Sequence, residues 1–326
     1  MFRTWIGAAL VAGMVGFGGA AAQAAEAWDM PMAYPDGNFH TKLGREFAEK
    51  VKADTNGEVV ITVHGGGSLF KGDEIKRAVQ RGTAPIGERL ISALSNEDPL
   101  FALDAVPFLA TDYDQAWKLY QVSKPALTER LAKENLHFLY AIAWPPQGIY
   151  ANKAIESAAD MKGLKFRTYN ATMARLAELL QMVPTQIEAA ELSQALATGT
   201  VEAMITSGAT GVDSQVWEQV KYFYDVQAWL PKNMVFVNKR AWDKLDPKVQ
   251  EAITKAAAEI EAKGWKMSEE LAQGYLKTLA EHGMTVSKPS AALASDMAAI
   301  GEKMTGEWEA GAGDAGKKII ADYRAK

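Results

Sequence analysis

The sequence predicts an α/β protein of two lobes, bridged by one helix long enough to span both. Three observations carry this expectation. Strand-like and helix-like patterns alternate along most of the chain, the order that gives strands joined by helical crossovers. Breaks at Pro145-Pro146 and at Pro231 divide that alternation into blocks. A helical pattern of about 36 residues then begins at Asp246-Pro247; at 1.5 Å per residue it would run roughly 54 Å, more than one small domain.

The elements follow in order. Residues 1–24 carry Arg3, an apolar run over 5–17, and small residues ending in Ala22-Gln23-Ala24. That is the pattern of a secretory signal peptide cleaved near Ala24, and it places the mature chain in the periplasm. Residues 28–34 read as a strand, 40–53 as a helix with Leu43, Phe47 and Val51 on one face, and 58–64 as a β-branched strand. A helix over 74–80 and a strand within 84–94 complete a β-α-β-α-β run, for which parallel pairing is expected. Helices are expected over 114–120 and 125–135, then a strand over 137–144.

After Pro145-Pro146 the pattern restarts at 147–152. Leu164 and Phe166 alternate with Lys165 and Arg167, the period of a strand with one buried face. Asn170 is placed to cap a helix lined by Met173, Leu176, Leu179 and Leu180. A short strand over 183–187 and a helix over 191–198 closed by Gly199 follow. Further expectations are a strand over 203–207, a helix over 214–221, an aromatic strand over 222–230, and a strand over 234–238 that returns to the first lobe. The long helix either spans both lobes or kinks near Gly264, and the tail from Ser290 is helical. The first lobe is thus expected over 25–146 and 232–262. The second is expected over 147–231 and 263–326, its tail partly packing on the first.

Composition narrows the function. A formal net charge of −5 argues against a general nucleic-acid binder and against a polybasic membrane anchor. The chain has no cysteine, which removes thiolate metal sites and cysteine nucleophiles. His40, His64, His137 and His282 are scattered, so no metal site and no cofactor is expected. No apolar span after the signal is long enough to cross a bilayer.

Motifs for catalysis are weak. His64-Gly65-Gly66-Gly67-Ser68 imitates an esterase oxyanion loop, but no G-x-S-x-G elbow accompanies it. The glycines of 311–316 match G-x-G-x-x-G without the strand before or the βαβ unit after that the dinucleotide motif requires. The acid pairs Glu269/Glu270 and Glu188/Glu191 read as solvated helix faces. Arg167 stands out because it falls at the carboxyl end of a strand, just before a helix N-terminus, where open α/β sheets hold ligands. A guanidinium there grips a carboxylate through two parallel bonds, or else serves in a structural ion pair. Trp144, Tyr150, Tyr169, Tyr222, Tyr224 and Trp229 gather at expected strand ends and crossings, either as core or as walls of a pocket.

Export, two α/β lobes and a long late helix suggest a venus-flytrap binding protein. The chain resembles the solute receptors of tripartite ATP-independent periplasmic (TRAP) transporters over essentially all its mature length. The resemblance rests on the order of FHTKLGREFAEKVKADTNGEVVITVHGGGSLF, EIKRAVQRGT, PLFALDAVPFL, MKGLKFRTYN, VPTQIEAAELSQALATGTVEA and VFVNKRAWDKL. It implies that Arg167 is the family's carboxylate-binding arginine, that lobes close on the ligand by hinge bending, and that the receptor delivers to TRAP membrane permease subunits. Thr206 or Ser207 stands where many members carry an asparagine, and no second arginine stands in 147–152. One carboxylate or sulfonate on an apolar or aromatic body therefore fits Arg167 with Trp144, Tyr150, Tyr169, Ser207 and Trp229. Arg89, beside Glu88, supplies a second polar contact or pairs with Glu88 or another neighbour. The alternatives are an exported hydrolase on a two-lobed scaffold and the receptor of an ATP-driven importer.

Overall fold

The structure is a computed structural model and describes residues 25–325, so the signal peptide expected over 1–24 lies outside the described residues. The chain opens with β1 (Glu26–Pro31), α1 (Phe39–Asp54) and β2 (Val59–His64). β1 and β2 pair in parallel, as a strand-helix-strand unit requires. Asn38 starts α1 by accepting the backbone N–H of His40 at 2.8 Å, and Leu43, Phe47 and Val51 are buried beneath it. Next come α2 (Ile75–Arg81), β3 (Ile86–Leu90), α3 (Pro99–Ala102), α4 (Tyr113–Ala132) and β4 (Leu136–Ala143).

Helix α4 is continuous where two helices were expected, and Pro125 lies inside it. A proline removes one N–H and crowds one carbonyl. Just ahead of it, the Ser123 hydroxyl donates to the carbonyls of Leu119 and Tyr120, supplementing the local ladder.

The chain crosses through Trp144-Pro145-Pro146 into β5 (Gln147–Ala151), β6 (Lys165–Thr168), α5 (Ala171–Leu179), β7 (Val183–Gln186), α6 (Leu192–Ala197), β8 (Ala203–Ser207), α7 (Gly208–Asp213) and β9 (Tyr222–Tyr224). Two expectations fail here. Residues 214–221 hold only a three-residue 3₁₀ turn, Val216–Glu218; the helix is α7, started by the Ser207 side chain accepting from Thr210 N. The aromatic strand stops at Tyr224, and the chain then turns, with Gln227 at φ 50°.

The return crossing leads to β10 (Lys232–Asn238), α8 (Lys239–Asp243), α9 (Pro247–Glu281), β11 (Thr285–Ser287), α10 (Ala291–Gly311) and α11 (Gly313–Ala325). β10 inserts between β3 and β4, antiparallel to both. The third strand is therefore not part of a parallel ladder. The other large sheet has the order β11-β9-β5-β8-β6-β7 and mixes parallel and antiparallel pairs.

Asp246 caps α9 through Lys248 N, with Pro247 at the first helical position, and the helix runs 35 residues as one element. It packs on α1 and β4 in one sheet's layer and on α7 and β11 in the other's. Gly264 marks a close approach rather than a break: a Cβ there would meet Ile142 Cδ1 at 2.4 Å. Nearby, Glu261 Oε1 accepts Ala141 N at 3.0 Å and the Trp265 indole donates to Ala141 O at 2.9 Å. The tail reaches back across the first sheet's helices: Trp308 donates to Pro99 O and Tyr323 to Leu109 O.

The two crossings run side by side. Trp144 N donates to Pro231 O, Gln147 N to Trp229 O, and Ala228 N to Gln147 O, at 2.8 to 3.0 Å. The sheets are thus joined by two bonded chain segments and by α9, the geometry of a hinge.

Candidate functional site

The three-stranded and six-stranded sheets face each other across a cleft, and the cleft closes around a cavity of about 440 Å³ counting its mouth. Closure is held by polar contacts between the two sides. Asn38 Nδ2 donates to Asp213 Oδ2 at 2.6 Å, Asn170 Nδ2 to Ser92 Oγ at 3.0 Å, and Ala171 N to Ser95 Oγ at 3.3 Å.

Arg167 sits on β6 between β7 and β8, with Phe166 turned into the core behind it. The alternation of the strand puts the guanidinium on the cavity wall. Its Nε donates to Ile187 O at 3.1 Å, and the guanidinium lies over the Tyr169 ring, 4.9 Å from the centroid. Among the described residues, no carboxylate pairs with it and its two terminal nitrogens bond to no protein atom. The side chain is only 3% exposed. Burial pulls its pKa below the ordinary arginine value, against the nearby Tyr169, Tyr34 and Glu188, yet a guanidinium stays charged. A buried cation without a partner is costly unless something anionic meets it.

Arg89 is different. It projects from β3 into the same cavity, and its Nη1 and Nη2 each reach a Glu188 oxygen at 3.0 Å. Burial opposes its charge, but the bonds and charge of Glu188 outweigh that and raise its pKa. Glu188 follows β7 on the opposite side of the cleft, so this ion pair bridges the two walls. The reading of Glu188 as a solvated helix face is corrected: it precedes α6 and lines the cavity.

The remaining expected residues divide. Trp144 lines the cavity, held by its indole donating to Asn233 Oδ1 at 2.8 Å and by Tyr34, whose ring centroid is 4.7 Å away. Tyr169 lines it and donates to Gln147 Oε1 at 3.3 Å. Ser207 lines it while capping α7, beside Thr206 and Thr210. Three others lie elsewhere. Glu88 is adjacent to Arg89 in a strand, so it faces the other way and pairs with His40 Nδ1 at 3.3 Å. Tyr150 is fully buried behind the wall, where its hydroxyl donates to Ser207 O and its ring packs on Phe223. Trp229 is buried in the crossing and does not line the cavity.

Tyr34, Gln147, Thr210 and Glu188 were not singled out as site residues. For Glu188 a signal existed: it stands at the carboxyl end of the strand beside that of Arg167, the edge where such sheets bind ligands. Among the described residues no cluster of three metal-ligating side chains occurs, and no helix is long and apolar enough to cross a membrane.

Comparison with known proteins agrees with this geometry. Residues 32–310 match the family described as bacterial extracellular solute-binding protein, family 7 (DctP). The crystal structure of DctP6, a Bordetella pertussis extracytoplasmic solute receptor binding pyroglutamic acid, is 46% identical with a TM-score of 0.91, covering 92% of this chain and 100% of that one. DctP7 from the same organism, also binding pyroglutamic acid, is 43% identical at 0.91, with the same shares. A TRAP solute-binding protein from a marine metagenome, specific for pyroglutamate, is 48% identical at 0.91, covering 93% and 99%. The chain belongs to family 7 of the bacterial extracellular solute-binding proteins and has the two-lobed fold of the TRAP solute receptors.

Proposed function

We propose that this protein captures a small monocarboxylate, of the size and polarity of pyroglutamate, between its lobes and delivers it to a TRAP membrane permease. One observation carries the reading: the Arg167 guanidinium lies buried on the cavity wall with both terminal nitrogens unbonded to protein. Two parallel N–H groups match the two oxygens of one carboxylate. The cavity's charges support a single anionic group, because Arg89 is already neutralised by Glu188. Beyond Arg167 the wall offers the rings of Tyr34, Trp144 and Tyr169 and the polar groups of Gln147, Thr206, Ser207 and Thr210. A flat five-membered lactam suits such lining, with ring faces on the aromatics and amide edges on the polar groups. Relatives at 43–48% identity bind pyroglutamate, which favours it over larger or dianionic acids.

The same reading makes the protein an exported, periplasmic receptor, cleaved near Ala24, that performs no chemistry on its ligand. Ser207 is engaged as a helix cap, and no histidine is among the residues lining the cavity. Calorimetry on the mature chain, stripped of co-purified solute, tests the ligand. L-Pyroglutamate should bind, whereas 2-pyrrolidone, which lacks the carboxylate, and glutarate, a dianion, should bind far more weakly. Absence of binding by pyroglutamate and by a panel of small monocarboxylates would overturn the proposal, as would turnover of the bound acid seen by NMR.

A further inference from the structure

We propose that Glu188 is the residue that limits the ligand to one negative charge, by occupying Arg89 as the lobes close. This rests on reading Arg167 as the carboxylate anchor. The cavity wall holds two arginines, Arg89 at 5% and Arg167 at 3% exposure. By themselves two buried guanidinium groups would suit a dicarboxylate, one for each end. Glu188 takes that option away, because its carboxylate fills both terminal nitrogens of Arg89 in the fork geometry that a ligand carboxylate would use.

The surroundings are built around this pair. A Cβ at Gly72 would stand 2.3 Å from Arg89 Nη1 and 2.6 Å from Glu188 Oε2, so the ion pair lies where any larger residue would place its side chain. Asp73 also acts on Arg89 through its charge, but it makes no hydrogen bond to it among the described residues. Glu188 is therefore the partner that decides Arg89's state.

Arg89 and Glu188 come from opposite sides of the cleft, so the pair forms only when the lobes meet. An acid caught first by Arg167 in the open cleft is tested on closing. A monoanion leaves Arg89 and Glu188 free to join and lock the cleft. A dianion must put its second carboxylate beside Glu188, and that like-charge contact opposes closure.

The test compares L-pyroglutamate and glutarate by calorimetry on the mature protein and three variants. Wild type should prefer pyroglutamate. Glu188→Gln frees Arg89 without much change of volume, and its affinity for glutarate should rise roughly tenfold to a hundredfold, the worth of a charge-assisted contact. Arg89→Gln/Glu188→Gln removes both charges and should lose that gain while keeping the preference for one carboxylate. Gly72→Ala, which leaves both charged side chains in the protein but crowds their pairing, should speed release of pyroglutamate severalfold. Melting curves confirm that each variant folds. If wild type fails to bind pyroglutamate or any other small monocarboxylate, the reading of the site falls and this inference with it. If wild type binds but Glu188→Gln gains nothing for glutarate, or the double variant gains as much, the role of Glu188 alone is overturned.

Discussion

Replacing Arg167 by methionine keeps the length of the side chain and removes its charge, and two effects of opposite sign should follow. Truncating one partner of a buried, hydrogen-bonded charge pair costs about 2–5 kcal/mol, a loss of affinity of roughly 30-fold to several thousandfold. Arg167→Lys keeps the charge but loses the fork and the tether from Nε to Ile187 O, 3.1 Å long. That should cost about 1.5–3 kcal/mol, roughly 10- to 150-fold. Without ligand the sign reverses. Arg167 is buried among Tyr34, Tyr169 and Glu188 with no ion-pair partner of its own among the described residues, so the folded protein carries an uncompensated charge. Its removal forfeits one hydrogen bond, about 1.5–3 kcal/mol, and the contact with the Tyr169 ring, about 0.5–2 kcal/mol, against a desolvation penalty of several kcal/mol. The methionine variant should therefore melt at the same temperature as wild type or higher, while its melting temperature no longer rises with ligand. Calorimetry and thermal melting read both effects. A methionine variant that binds within threefold of wild type would remove Arg167 from the site, and one that binds poorly only because it melts well below wild type would make Arg167 structural.

Two further outcomes concern the frame. Gly264→Ala should destabilise the fold by about 1–3 kcal/mol despite alanine's better helix propensity, because the added Cβ would meet Ile142 Cδ1 and Cγ1 at 2.4 and 2.7 Å. Urea unfolding should show the loss and its partial rescue by Ile142→Val; a stabilised single variant would refute the close approach. Burial raises the Asp213 carboxyl above its ordinary 3.8, against the hydrogen bond from Asn38. The folded protein then holds this proton to higher pH than the unfolded chain, so its contribution is full below about pH 3.8 and lost as pH rises through the folded value. Asp213→Asn retains an acceptor for Asn38 and should flatten that stretch of the stability curve; an unchanged slope would refute the shift.

The sequence by itself determined the fold class, the order of nearly all strands and helices, and the position of Arg167 at the end of a strand. These are legible because period and capping are local: alternation at Leu164 to Arg167 marks a strand, and Asp246-Pro247 starts a helix whatever surrounds it. Local signals failed where neighbours decide. α4 runs through Pro125, and the aromatic stretch after Tyr224 turns at Gln227 instead of extending. Within the site, Glu88 and Arg89 were adjacent candidates, and alternation says that only one can face a given side without saying which. Tyr150 looked like a wall residue and is a buttress behind Ser207. Glu188 looked like a solvated acid and bridges the cleft to Arg89, 99 residues earlier in the chain. Only the tertiary structure decided these, because an ion pair between distant segments leaves no periodic trace in either one. The charge that the cavity presents is a sum over both lobes: the place of Arg167 was written in one strand, and the pairing of Arg89 was set by the meeting of two.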